Sequence, residues 1–130
     1  MPKYSHKSTE RLNSSHPDLQ KLFNSVIKKF DNTILWGYRD KSAQDEAFKS
    51  GNSKVQFPKS KHNSLPSLAI DAAPYPIDWN DLDRFYHFAG YVRGMADILN
   101  IKIRWGGDWN GNFDLKDQNF FDLAHFELKK

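Results

Sequence analysis

At 130 residues, with 38% hydrophobic and 15% aromatic side chains, the chain is long enough for one folded domain with a true core and too apolar for a disordered segment. It contains no cysteine, which excludes disulfide support and zinc–thiolate clusters, so any metal site must use histidine and carboxylate. Its 19 basic and 16 acidic residues leave a net charge of +3, interspersed rather than gathered into the stripe of a nucleic-acid binder, so no nucleic-acid partner is expected.

The N-terminal MPKYSHKSTERL lacks the apolar stretch of a signal peptide, and no window approaches the ~18–20 apolar residues of a membrane span. Stable membrane association is therefore not expected. The first expected element is a helix in SSHPDLQKLFNSVIKKF, with Ser15 as N-cap and Asp18 three residues on. Leu19, Leu22, Phe23, Val26 and Ile27 form its apolar stripe. TILWGYR (33–39), rich in β-branched and aromatic residues, reads as a strand, and a short helix over 41–49 closes at Gly51. Residues 52–66 read as a polar loop, followed by a short strand in SLAIDAA (67–73) that ends at PYP.

NDLDRFYHFAGYVRGMADILN is the longest expected helix, capped by Asn80, with Leu82, Phe85, Ala89, Val92, Ala96 and Leu99 as its stripe. His87 falls on the opposite face and is read as surface. IKIRW (101–105) is a strand, GGDW a glycine turn, 110–119 a polar loop, and FFDLAHFEL (120–128) the last strand. The order predicts an α+β fold, a small antiparallel sheet flanked by helices in a single domain.

Within this frame, SKHNSLPSLAID (60–71) sets His62 and Asp71 nine positions apart, and His125 lies far downstream with Asp122 three residues before it. Two imidazoles and a carboxylate suit catalytic zinc, because three protein ligands leave a fourth position open for water. Zinc lowers the pKa of water from about 15.7 toward ~7. Asp122 is the expected general base, passing the proton on to a leaving amine. Arg39, at the end of the first strand, is the expected partner of a developing oxyanion, and Ser60 a substrate contact at the rim. Taken singly, each residue has a plainer reading. His62 could be a loop histidine, His125 a core histidine, Asp122 a loop cap and Arg39 half of a salt bridge. Asp71 is harder to read that way, since a carboxylate between Ile70 and Ala72 in an apolar strand needs a metal or a cation.

Together these residues resemble the zinc D-alanyl-D-alanine carboxypeptidase-like peptidases, a family that includes the phage L-alanyl-D-glutamate endopeptidases. That family carries Ser-x-His, then a small residue-x-Asp, then an acid-x-x-His. Here these are Ser60-Lys61-His62, Ala69-Ile70-Asp71 and Asp122-Leu123-Ala124-His125. GYRD with Gln44, PSLAIDAAPYPIDW, RWGGDW and HFEL extend the likeness over residues 36–128, and the last two, with aspartate at 122, look most like the phage endolysin branch. Many members space the first His and Asp more tightly; the extra residues here fall in NSLPS, where a loop insertion need not move either ligand. The resemblance implies one zinc ion per chain and a monomeric enzyme. It also implies cleavage of the peptidoglycan stem peptide, between L-alanine and D-glutamate, during phage lysis. Such a protein would stay in the host cytoplasm until the membrane is permeabilised, and the motifs occupy so much of residues 1–130 that no separate wall-binding domain is expected.

Weaker signals accompany this reading. Asp108, Asn110, Asn112 and Asp114 alternate like the start of a calcium loop, but Phe113 occupies the position where an EF-hand needs glycine. A looser Ca2+ or regulatory site and an Asx-rich turn stay open. Of the four tryptophans, Trp105 and Trp109 are assigned to substrate binding, with core packing expected for at least two of Trp36, Trp79, Trp105 and Trp109. Glu127 shares a strand face with His125 and would either orient that ligand or pair with a lysine. Three rival functions stay open: a D,D- or L,D-carboxypeptidase, a non-catalytic wall-binding module of the same fold, and a hydrolase with Ser60 as nucleophile and His62 as base.

Overall fold

The computed structural model describes residues 2–118 and 120–129. It opens with a helix, α1 (His6–Asn13), that the sequence reading did not anticipate. Leu12 is its one buried large apolar residue, so it shows no 3.6-residue apolar period. Polar contacts hold it instead: Ser5 Oγ accepts from Ser8 N–H at 3.1 Å, and Ser8 Oγ accepts from Ile34 N–H at 3.1 Å. The second helix, α2 (Pro17–Val26), is capped by His16, whose Nδ1 accepts from Asp18 N–H at 3.0 Å. Ser15, the expected cap, donates its hydroxyl to Leu12 O at 2.6 Å; it closes α1 and is not available to open α2. The α2 stripe itself is buried as expected.

Strand β1 (Asn32–Trp36) and helix α3 (Lys41–Lys49) follow, with Asp40 Oδ1 capping α3 through Ala43 N–H at 2.8 Å. Gly51 leaves α3 at φ +85°, a left-handed conformation that glycine adopts without penalty. Strand β2 (Ala69–Pro74) leads to α4 (Leu82–Ile98), and β3 (Ile103–Gly106) and β4 (Asp122–Leu128) complete a four-stranded sheet. Its order is β1-β2-β4-β3, antiparallel at every pairing. The cap of α4 is Asp81, not Asn80, and Leu82 stands exposed in its first turn while Phe88 enters the core.

The pleat divides the central strands into two chemistries. Ile70, Ala72, Phe126 and Leu128 point to the layer formed by α2 and α4. There Phe126 meets Phe23 and Phe88 edge-on, with ring centroids 5.7 and 6.0 Å apart. Asp71, His125 and Glu127 occupy the alternate positions and face a cleft. Truncating a fully buried ring of this kind costs about 3–5 kcal/mol, so Phe126→Ala is expected to lose that much in urea-induced unfolding. Among the described residues no helix is long and apolar enough to cross a membrane.

Candidate metal centre

The β2–β4 register sets Asp71 directly opposite His125. His62 arrives from the loop, on a short 3-10 turn (Lys61–Asn63) that the sequence reading left irregular. Ser60 builds that turn: its Oγ accepts from His62 N–H at 3.1 Å, and its own N–H donates to Asn63 Oδ1 at 3.0 Å. One ligand atom from each of His62, Asp71 and His125 lies within 4.8 Å of the others. Asp71 Oδ1 is 3.2 Å from His62 Nε2 and 3.1 Å from His125 Nδ1.

The outer ring nitrogens fix which atoms face inward. His62 Nδ1 donates to Gly37 O at 2.8 Å, and His125 Nε2 lies 2.8 Å from Glu127 Oε1. Each imidazole is thus oriented from behind and presents its other nitrogen to the centre. Two such nitrogens and one carboxylate oxygen match the ligand chemistry of zinc, and the cluster can coordinate a single zinc ion. Glu127 also pairs with Lys61 at 3.2 Å, so both roles considered for it coexist in one side chain.

Charge is concentrated here. Burial opposes ionisation of Asp71, yet the adjacent His62 and His125 hold its carboxyl far below the ordinary range. Burial likewise opposes a charge on His125, but hydrogen bonds to Asp71 and Glu127, with the charges of Asp71 and Asp122, raise it from 6.5 to about 10. In the zinc-free protein His125 is therefore protonated at pH 7. Its contribution to stability is complete below 6.5 and is lost as pH rises through about 10. Zinc must displace that proton, so zinc titrations in buffers of different ionisation enthalpy are expected to show release of about one proton at pH 7, with affinity rising with pH.

Asp122 lines the same cleft, of about 330 Å³. Burial, then the negative charge of Asp71, raise its carboxyl to about 6 against the opposing pull of His125, His62 and Arg39. Gly106 faces it across the β3–β4 pair, and a Cβ there would sit 2.1 Å from Asp122 O, so only glycine allows this approach. Arg39 is buried, donating from its backbone to His62 O at 2.8 Å, from Nη2 to Asp71 Oδ2 at 3.2 Å and from Nη1 to Gln44 Oε1 at 3.1 Å. Gln44 is itself fully buried and donates to Ser53 Oγ at 2.9 Å and Val55 O at 2.8 Å, tying Arg39 to the cleft wall. Its place after GYRD was its only signal in the sequence.

Ser60 lies on the cleft rim. Trp109 lines the cleft too, its ring 5.5 Å from that of His125 and stacked on Phe120, with Nε1 donating to Phe120 O at 2.6 Å. The expectation for Trp105 is corrected. It is 3% exposed, paired across the sheet with Phe126 on the helix-facing side, and its Nε1 donates to Leu123 O at 2.9 Å. No substrate reaches a ring so placed. In the segment whose sequence leaves open a looser calcium site or an Asx-rich turn, protein donors meet the carboxylates. Asp108 is fully buried, with Oδ2 2.9 Å from both Arg93 Nη2 and Phe113 N, and Asp114 Oδ1 accepts from Lys116 N–H at 2.9 Å. The segment is an Asx-rich turn that carries Trp109 to the cleft.

The chain matches over residues 1–129 the family described as phage L-alanyl-D-glutamate peptidase. It is 34% identical over 135 residues to an L-alanyl-D-glutamate peptidase of Escherichia phage T5, covering 97% of both proteins. Among solved structures, the Serratia marcescens L-Ala D-Glu endopeptidase ChiX matches with a TM-score of 0.74 and 26% identity, over 97% of this chain and 90% of that one.

Proposed function

The chain belongs to the phage L-alanyl-D-glutamate peptidase family, and on that premise we propose that it is a zinc endopeptidase of bacterial peptidoglycan, cutting the stem peptide between L-alanine and D-glutamate. The observation that carries the reading is a His62–Asp71–His125 cluster set in one cleft with a carboxyl group raised to about 6. Zinc held by those three residues would supply Lewis acidity, polarising the scissile carbonyl and lowering the pKa of water toward ~7.

The chain's own groups do the rest. Asp122 is ionised at neutral pH and close enough to its titration point to take a proton from the attacking water and return it. The water oxygen bonds to the alanyl carbonyl carbon, the C–N bond breaks, and Asp122 delivers the proton to the departing amine of D-glutamate. Arg39 holds Asp71 in place, and, with no further partner for Nη1 or Nη2 among the described residues, each terminal nitrogen keeps an N–H for the carbonyl oxygen as it gains charge. Trp109 and Ser60 border the space the peptide fills. In this reading residues 1–130 form a single catalytic domain that works as a monomeric endolysin. It waits in the host cytoplasm and acts on the wall once the membrane has been opened.

Mass spectrometry of purified peptidoglycan digested with and without EDTA tests this. New N-terminal D-glutamate that vanishes with EDTA is the expected result. Released terminal D-alanine would make the enzyme a carboxypeptidase, and cleavage that survives EDTA would point to Ser60. No product from several wall types, with zinc bound, would leave a binding module.

A further inference from the structure

The cleft continues past the metal cluster. Arg39, Asn52, Asp71 and Asp122 also border a second cavity of about 510 Å³, which Trp36 and Trp79 line as well. The two halves differ in chemistry. The first contains Lys54, Lys59 and Lys61; Lys61 is held by Glu127, whereas Lys54 and Lys59 make no ion pair among the described residues. The second has no lysine; its two arginines are engaged, Arg39 with Asp71 and Arg11 with Ile34 O, and it presents two large indoles, Trp36 at 39% and Trp79 at 58% exposure.

Both indoles are backed by protein on one face. The Arg39 guanidinium lies 4.9 Å from the centre of the Trp36 ring, and Trp79 stacks on Phe85 at 5.3 Å with 21° between the planes. A ring held this way offers one open, rigid face beside a groove, a low-entropy contact for an amphipathic ligand. Pyranose rings, with apolar C–H faces and hydroxyl rims, fit such a surface. The substrate has the matching asymmetry, an argument that rests on the peptidoglycan reading above. On the alanine side the stem peptide hangs from an amino sugar through a lactyl group. On the glutamate side it carries free carboxylates.

We infer that the Trp36–Trp79 half of the groove is a saccharide subsite, which orients the substrate with its sugar over the indoles, its scissile amide at Asp122 and its carboxylates toward Lys54 and Lys59. The enzyme thereby favours stem peptides still attached to glycan over free ones.

The test compares kcat/KM for the free L-Ala-γ-D-Glu-diaminopimelate tripeptide with that for the same peptide carried on the GlcNAc–MurNAc disaccharide. Wild type is expected to prefer the disaccharide-linked substrate by roughly tenfold, Trp79→Ala to bring the ratio close to unity and Trp79→Phe, which keeps a ring, to retain most of it. Because Trp79 rests on Phe85, a second measurement on unmutated protein stands beside the variants: NMR titration with peptide-free disaccharide should shift the indole N–H signals of Trp36 and Trp79. An unchanged ratio in a folded Trp79→Ala, or disaccharide that moves neither indole signal, overturns the subsite. If wild type cut neither substrate the peptidase reading would fall, while the titration would still decide the sugar site.

Discussion

Asp122→Asn is expected to keep one equivalent of zinc and to lose about 10²–10⁴-fold in kcat, with little change in KM. The substitution preserves shape while removing the carboxylate's charge and its capacity to hold a proton. Asp122 is absent from the cluster formed by His62, Asp71 and His125, so the metal should stay. The pH profile supplies a second readout. Burial and the Asp71 charge hold the zinc-free carboxyl at about 6, and a bound cation can only lower it, so the acid limb of kcat/KM should fall at or below about pH 6. That limb should be missing from the residual activity of the variant. Loss of zinc on Asp122→Asn, measured by metal analysis of the purified protein, would transfer Asp122 from base to ligand and sink this mechanism.

The complementary expectation is that Asp71→Ala loses zinc and activity together and also weakens the zinc-free protein. Asp71 is the single acceptor on which His62, His125 and Arg39 converge. Without it, Arg39 keeps its charge in a buried position where its Nε already has no partner among the described residues. Removing one member of a buried ion pair typically costs about 3–5 kcal/mol, and urea unfolding of chelator-treated wild type and variant should differ by that amount. Wild-type stability in the variant, with zinc retained, would mean that the convergence on Asp71 is incidental. Read together, the two substitutions separate holding the metal from moving the proton.

Much of this was legible in the chain. The apolar periods of α2 and α4, the β-branched stretches, and a carboxylate set between Ile70 and Ala72 each follow from local chemistry. Helix caps were legible only to within a residue or two. Ser15 and Asn80 are as good cap formers as their neighbours, and a competing bond to Leu12 O, in the case of Ser15, settled the choice. Helix α1 was missed because polar contacts, not an apolar stripe, hold it to β1.

By itself the sequence determined the element types, the alternation that puts Asp71, His125 and Glu127 at period-two positions, and the residue chemistry a zinc site requires. All of these are consequences of neighbours along the backbone. Only the tertiary structure decided which side of each pleat faces the helices. That choice sent Trp105 into the core, brought Trp109 beside His125, and aligned Asp71 with a partner 54 residues away. It also decided that Gln44 holds Arg39 and that Asp108 pairs with Arg93. The reason is physical. A strand's two faces are equivalent until something packs on one of them, and a buried polar group takes whichever partner the fold carries within hydrogen-bonding reach.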